Sequence, residues 1–337
     1  KQELMRHASH PVVFEPGRDV PMLNAMIHTI IEEGLFDKQY IQANVDGFEA
    51  LSEKVKEFSP ENMAEICGVE PDYLRELART YATSERSIIF WGMGVSQHVH
   101  GTDNARCLIA LSLITGQVGR PGTGLHPLRG QNNVQGASDS GLIPIVYPNY
   151  KSVEDPDIRA KYEDAWGRSL DPAKGLTVVE IMDEVAKGNI RAMYVQGENP
   201  AMSDPDQTHA RAALASLDHL IVQDIFFTET AWFADVILPA TAQPEKPGTY
   251  TNSNRQVQLA MPVRKAPGEA RQDWKLIVEM AQRSGLDWDY SDISEVYAEM
   301  ASHMASLDNI SWDRLLREGF VCYPAKDKDG PGEEIIF

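Results

Sequence analysis

Residues 87–95 read SIIFWGMGV, followed by SQHVHGTDN and then by apolar positions at helical spacing over about 104–115. A continuous β-rich apolar run of this kind predicts a strand buried on both faces, as in a parallel sheet. Gly92 and Gly94 close the run, and a polar loop leads into the helix. Strand, glycine-bearing loop and helix in that order offer backbone N–H groups at the carboxyl end of a strand, where α/β sheets bind ligands. The glycine pair is too short for a dinucleotide fingerprint, so it marks a ligand edge without naming the ligand.

The same rhythm returns downstream. A strand at 190–195 ends in Gln196-Gly197-Glu198-Asn199-Pro200, and a helix follows over 206–216. A strand at 219–222 ends in Gln223-Asp224, Thr228-Glu229-Thr230 begins a short helical turn, and a further strand at 235–238 ends in Pro239-Ala240-Thr241. The first two strands start about thirty residues apart, the length of one strand–helix–strand unit. Polar or glycine-bearing clusters at each strand end point to a ligand crevice, although ordinary strand-to-helix turns favour the same residues. Upstream, helical patterns cover 20–34, 37–44 and 71–83, with starts at Ser59-Pro60 and Glu70-Pro71. Residues 143–174 read as a surface excursion with a short helix at 156–166, and a helix covers 178–187. KPGTYTNSNRQVQLAMPV, from Lys246, alternates like a β-hairpin. A helix at 271–284 and then short helices and loops complete the chain. The fold class expected is α/β with two doubly wound parallel-sheet domains. The first covers 1–130 and the second 131–243 with the helix at 271–285. A small irregular α+β segment, 244–337, belongs to a partner domain.

Between the two lies PGTGLHPLRGQNNVQGASDSG, residues 121–141. It reads as a ligand loop, too polar and glycine-rich for a core element. Arg129 stands alone, with no acidic residue until Asp139, as a fork for a carboxylate or phosphate. Gln131, Asn132, Asn133 and Gln135 supply amide donors and acceptors. His98 and His100 read as polar loop groups, because no third metal ligand lies near them in sequence.

The 337 residues carry a formal net charge of −19 and are 42% hydrophobic. That balance argues against nucleic acid or an anionic membrane as partner. The three cysteines, Cys67, Cys107 and Cys322, form no CxxC or Cys/His cluster, so each is read as a small buried hydrophobe and no metal ligand is assigned. The chain begins at Lys1 within a helical pattern at 2–8 and ends in a strand-like EEIIF, which suggests a piece of a longer polypeptide.

Taken in order, WGMGVSQ, RGQNNVQGASDSG, QGENP, VQDIFFTETAWFADVILPA and EKPGTYTNSNRQVQ resemble the molybdopterin oxidoreductases. The likeness is to the catalytic alpha subunit of molybdenum- or tungsten-dependent formate dehydrogenase, of the soluble NAD-linked type. It implies the formate dehydrogenase/DMSO reductase fold and a metal held by two pyranopterin guanine dinucleotides, one on each α/β domain. The matching cofactor-binding positions are Gly92, Gly94 and Gln97 in the first domain. In the second they are Gly197, Glu198, Asn199, Pro200, Gln223, Asp224, Thr228 and Thr230, with Gln131 beside the metal. Glu245 is open to two readings, a cofactor contact or a structural ion pair.

Arg129 matches the family's active-site arginine, which would orient formate for hydride transfer to the metal centre and release of CO2. The resemblance places the metal's cysteine or selenocysteine ligand and the iron–sulfur clusters upstream of Lys1, so this chain by itself is expected to be inactive. It also implies the rest of the alpha subunit and diaphorase-type electron-transfer subunits as partners, and a cytoplasmic location. Two other readings share the fold: the non-catalytic electron-transfer scaffold of the respiratory complex I large subunit, and nitrate reductase. Arg129 with its amide-rich neighbours favours an enzyme over the scaffold, and the full RGQNNVQGASDSG run favours formate.

Overall fold

A computed structural model describes residues 2–335, which form two compact units: residues 132–333, and residues 2–131 together with 334–335. Of the strand-like end expected at EEIIF, residues 333–335 form no strand, and Ile336 and Phe337 lie outside the described residues.

The first unit packs helices Asp19–Glu32, Lys38–Asn44, Phe48–Lys54, Pro60–Cys67, Pro71–Thr83 and Gly101–Ile114 around a two-stranded parallel sheet. Their starts follow from local chemistry. The Asp37 carboxylate accepts from Tyr40 N at 2.9 Å, Ser59 Oγ accepts from Asn62 N at 3.3 Å, and Pro60 and Pro71 stand where a helix needs no N–H. Leu23, Ile27, Ile30, Leu111 and Ile114 form the core between the helices.

Strand β1 is Ile88–Trp91. The expected run through Val95 is cut short, because Gly92 ends the strand and Met93–Ser96 turns helical. Nor is the strand buried on both faces. Ile89 and Trp91 pack on the helical core, while Ile88 and Phe90, on the alternate face, are exposed. Its partner, β2, is Gly124–Pro127, parallel to β1 from Ile88 opposite Gly124 to Trp91 opposite Pro127. The stretch 121–141 is therefore not a loop throughout. Its apolar Leu125 packs against the core, and Val134–Asp139 forms a short helix.

In the second unit, the excursion after Gly141 forms a small antiparallel pair, β3 (Val146–Tyr147) and β4 (Lys151–Ser152), and the helix Pro156–Trp166. Tyr147 stacks on Tyr162 at 4.4 Å between ring centres, which pins that helix. The parallel sheet has β5 (Ala192–Gln196), β6 (His219–Asp224) and β7 (Val236–Pro239) in that order. Helices Val178–Ala186 and Gln207–Ala215 cover it, the first entered through a reciprocal cap between Thr177 and Glu180. Met182, Val185, Val195, Leu214, Leu220 and Val222 make its core. The expected hairpin is β8 (Gly248–Thr251) with β9 (Gln256–Ala260). A third strand, β10 (Phe320–Cys322), pairs with β9. Its three residues are too short a signal to read from sequence. Cys67 and Cys107 are buried, as expected of small hydrophobes, but Cys322 on β10 is only half-buried.

Leu220, on the central strand β6, is fully buried. Replacing Leu220 with Ala should destabilise the second unit by about 2–5 kcal/mol, seen as a lower urea midpoint with an unchanged slope. An unchanged midpoint would show that the sheet's core lies elsewhere.

Candidate functional site

The ligand edge of the first unit is made by two adjacent strand ends. Because Trp91 lies opposite Pro127, the chain leaves β1 and β2 side by side, and Leu128 N donates to Trp91 O at 2.7 Å. Gly92 is extended and caps the turn Met93–Ser96. A Cβ on Gly130 would lie 2.6 Å from Met93 Cε, so the absence of a side chain lets the segment carrying Arg129 rest against that turn. Arg129 and Gln131 flank this glycine and are exposed. Nothing lies within 4 Å of where a Cβ would stand on Gly92 or Gly94, so a ligand has access to their backbone. Gln97 is exposed at the end of the turn, its N–H bonded to Met93 O. His98 Nε2 bonds to Gly94 O at 2.6 Å, and His100 lies 3.9 Å from Asp103, so both imidazoles have local polar roles. Among the described residues no three His, Cys, Asp or Glu converge to hold a metal.

Three of the amides read as ligand groups are otherwise engaged. Asn132 Nδ2 donates to Gln243 Oε1 at 2.9 Å, Asn133 Oδ1 accepts from Thr251 N at 2.9 Å, and Gln135 Nε2 donates to Asp139 Oδ1 at 2.7 Å. They fasten the chain after Gln131 to its own unit, a use of amides that composition cannot distinguish from ligand binding.

In the second unit the ends of β5, β6 and β7 share one edge. Gln196 lies opposite Gln223, and Asp224 opposite Pro239. Gly197 N donates to Gln223 O at 2.9 Å, and Ala240 N to Asp224 O at 3.0 Å. Gly197 has φ +62, with open space beside its Cα. Glu198 Oε1 accepts from Asn199 N at 2.9 Å and Ser203 Oγ at 2.8 Å. Asn199 Oδ1 accepts from Thr230 N at 3.0 Å and Thr230 Oγ1 at 2.7 Å, and its Nδ2 donates to Glu229 Oε2 at 2.7 Å. Pro200 opens the short helix Pro200–Ser203, and Thr228 Oγ1 accepts from Ala231 N at 3.4 Å.

Gln223 and Asp224, expected in the turn after the strand, are its last two residues, so their side chains take opposite faces. Asp224 stays half-exposed, with Oδ1 accepting from Ile225 N at 2.6 Å and Phe226 N at 3.2 Å. Gln223 is fully buried; it accepts from Tyr194 OH and donates to Asp273 Oδ1 at 2.8 Å. Thr230 is likewise fully buried. Gly197, Glu198, Asn199, Pro200, Asp224, Thr228 and Thr230 are thus brought together, while Gln223 braces them from inside. Glu245 makes the ion pair of the structural reading. Its Oε2 accepts from Ala242 N at 2.9 Å and its Oε1 lies 3.3 Å from Arg264 Nε.

One feature of this edge was missed from sequence. Ile225, Phe226, Phe227 and Trp232 are all exposed, and Phe227 meets Trp232 edge-on at 4.8 Å. Consecutive apolar residues after a polar strand end were the available signal. Such rings offer a surface for stacking on a planar heterocycle.

The edge is rich in acceptors: Glu198, Asp204, Asp224 and Glu229. A hydrogen bond from Asn199 holds Glu229 below the usual carboxylate range, whereas burial, and then the charge of Glu198, pushes Asp204 up. A carboxyl raised in the folded state is more costly to ionise there than in the unfolded chain, so it lowers stability at neutral pH and ceases to do so once protonated. Asp204→Asn should therefore raise Tm at pH 7 by about 1–3 °C, and the gain should fade as pH falls towards about 3. A gain that persisted in acid would contradict this assignment.

The molybdopterin oxidoreductase family matches residues 3–283. The chain is 44% identical over 323 residues to the F420-dependent formate dehydrogenase subunit alpha of Methanocaldococcus jannaschii, covering 95% of this chain and 47% of that one. It is 37% identical over 328 residues to formate dehydrogenase H of Escherichia coli, covering 97% and 46%. Acetylene hydratase from Pelobacter acetylenicus shares its fold, with a TM-score of 0.74 at 21% identity over 96% of this chain and 47% of that one. The chain spans about half the length of the curated relatives it matches. With parallel sheets in both units and a family match over most of its length, the chain belongs to the molybdopterin oxidoreductase family.

Proposed function

We propose that this chain is part of the alpha subunit of a formate dehydrogenase, with Arg129 as the group that holds formate. The observation carrying the proposal is the placement of Arg129. It is exposed at the joint carboxyl edge of β1 and β2, beside Gly130 and the open backbone of Gly92 and Gly94. Relatives at 44% and 37% identity bearing formate dehydrogenase names support the substrate. The residues present fit a pterin dinucleotide. Gly92, Gly94 and Gly197 leave room for close backbone approach, and the acceptors Asp224 and Glu198 suit the N–H edge of guanine and ribose hydroxyls better than they suit phosphate.

In this reading Gly92, Gly94, Gln97 and Gln131 would hold one pterin guanine dinucleotide on the first sheet. The Gly197–Pro200 turn, Asp224 and Thr228 would hold the other on the second, with Gln223 and Thr230 supporting them from the interior. The molybdenum or tungsten centre, when bound, supplies the two-electron oxidation. Arg129 contributes geometry. Its planar fork binds both formate oxygens, neutralises the carboxylate and leaves the single C–H bond facing away from the guanidinium. As the bond to hydrogen breaks, the carbon skeleton becomes neutral CO2, which the guanidinium holds less strongly, and the product leaves. We place the protein in the cytoplasm beside electron-transfer subunits. The sequence resemblance favours NAD as final acceptor, and the name of the 44% identical relative favours F420.

The test is formate oxidation by the metal-loaded protein that carries this chain, with NAD and F420 offered separately. Arg129→Lys keeps the charge and loses the fork, and should lower kcat/KM by roughly a hundredfold or more with metal content unchanged. Full activity in the variant would remove Arg129 from the site. Metal-loaded wild type inert to formate would leave the family intact and overturn the substrate.

A further inference from the structure

The turn Met93–Ser96, which follows β1, does not hold its shape by itself. It is one helical turn long, and a single turn is unfavourable in isolation. Gly92 and Gly94 add backbone freedom that folding must remove. Its own hydrogen bonds are few: Val95 N donates to Gly92 O at 3.1 Å, and Gln97 N to Met93 O at 2.8 Å. Order is supplied by the helix Gly101–Ile114. Asn104, only 2% exposed, donates from Nδ2 to Val95 O at 2.8 Å. A Cβ on Gly101 would stand 1.8 Å from Ser96 O, so the start of the helix lies directly on the end of the turn. The Val95 side chain packs on the core to which Leu108 and Leu111 of that helix belong. All of these residues lie in the first unit.

Asparagine is a costly choice at position 104. It is a poor helix former, and it stands four residues before Leu108 and seven before Leu111, on the buried stripe of the helix. Leucine there would favour the helix and extend its apolar face. Gly101 is not among the glycines with positive φ, so its backbone would accept a side chain and only the contact with Ser96 forbids one. Neither residue type serves the helix that carries it, and both serve the turn. We infer that Asn104 and Gly101 are positioning residues, which fix the turn Met93–Ser96 and so hold the backbone of Gly92 and Gly94, with Gln97, in the arrangement that meets the cofactor. The cofactor half of this inference rests on the reading proposed above for that edge, and the anchoring half rests on the contacts alone.

Asn104→Leu keeps the shape of the side chain and removes the donor, and Asn104→Gln keeps a donor on a longer arm. Gly101→Ala adds the methyl that Ser96 O excludes. Each would be made in the metal-loaded protein that carries the chain. In Asn104→Leu, amide hydrogen exchange over residues 92–97 should quicken roughly five- to a hundredfold, as an unpaired buried carbonyl implies, with exchange over the rest of the helix Gly101–Ile114 unchanged. Gly101→Ala should quicken the same amides, and Asn104→Gln should fall between wild type and Asn104→Leu. Pterin and metal, measured after gel filtration, should be lost faster in the same order. A residue that served only the helix would behave otherwise, because leucine at 104 improves the helix. Exchange over 92–97 that is unchanged in both Asn104→Leu and Gly101→Ala, or raised equally across the whole first unit, would overturn the inference. Faster exchange with pterin and metal retained as in wild type would keep the anchor and overturn the cofactor reading of this edge.

Discussion

The second unit depends on a buried amide. Gln223 accepts from Tyr194 on β5 and donates to Asp273 at the start of the helix Asp273–Arg283. Asp273 pairs with Lys246, whose ammonium also donates to Thr241 O beyond β7, at 2.9 Å. One chain of polar contacts therefore ties β5 and β6 to the helix Asp273–Arg283 and to the segment after β7. Removing any link would leave a buried donor or acceptor unpaired, at about 1–3 kcal/mol. The turns that present Glu198, Asn199 and Asp224 are thus braced from underneath as well as by their own hydrogen bonds.

The first unit uses separate buried amides: Gln117 accepts from Ser87 N at 2.9 Å and donates to Ser84 O at 2.8 Å beside the start of β1, and Asn104 Nδ2 donates to Val95 O at 2.8 Å beneath the turn after it. Its sheet has two strands, and its ligand edge is shaped by missing side chains. Gly92 ends β1, and Gly130 brings the neighbouring chain onto Met93. Rigidity comes from the helical core beneath Ile89 and Trp91. An edge of bare backbone with one arginine suits a small anion, whereas the carboxylate-lined edge of the second unit suits donors. Each unit carries a parallel sheet, and the two differ in the chemistry they offer.

Much of this was legible from the residues. Asp37, Ser59, Pro60 and Pro71 fixed helix starts because capping is local chemistry, and the alternation from Lys246 announced the hairpin for the same reason. What escaped was non-local. β2 was hidden because Gly124, His126 and Pro127 are poor strand formers, and only the neighbouring β1 makes them one. β10 exists because β9 has a free side. The amides of Asn132, Asn133 and Gln135 looked like ligand groups since nothing in the sequence shows that Gln243, Thr251 and Asp139 wait for them.

The contact of Gly130 with Met93 links two motifs separated by more than a turn of fold. The Met93 thioether fills the space that a side chain at 130 would occupy. The two positions therefore share a single volume. A side chain at 130 would require the Met93 thioether, the far end of a flexible and exposed side chain, to swing aside, so the packing of one conspicuous sequence signature is set by the rotamer of a residue in another.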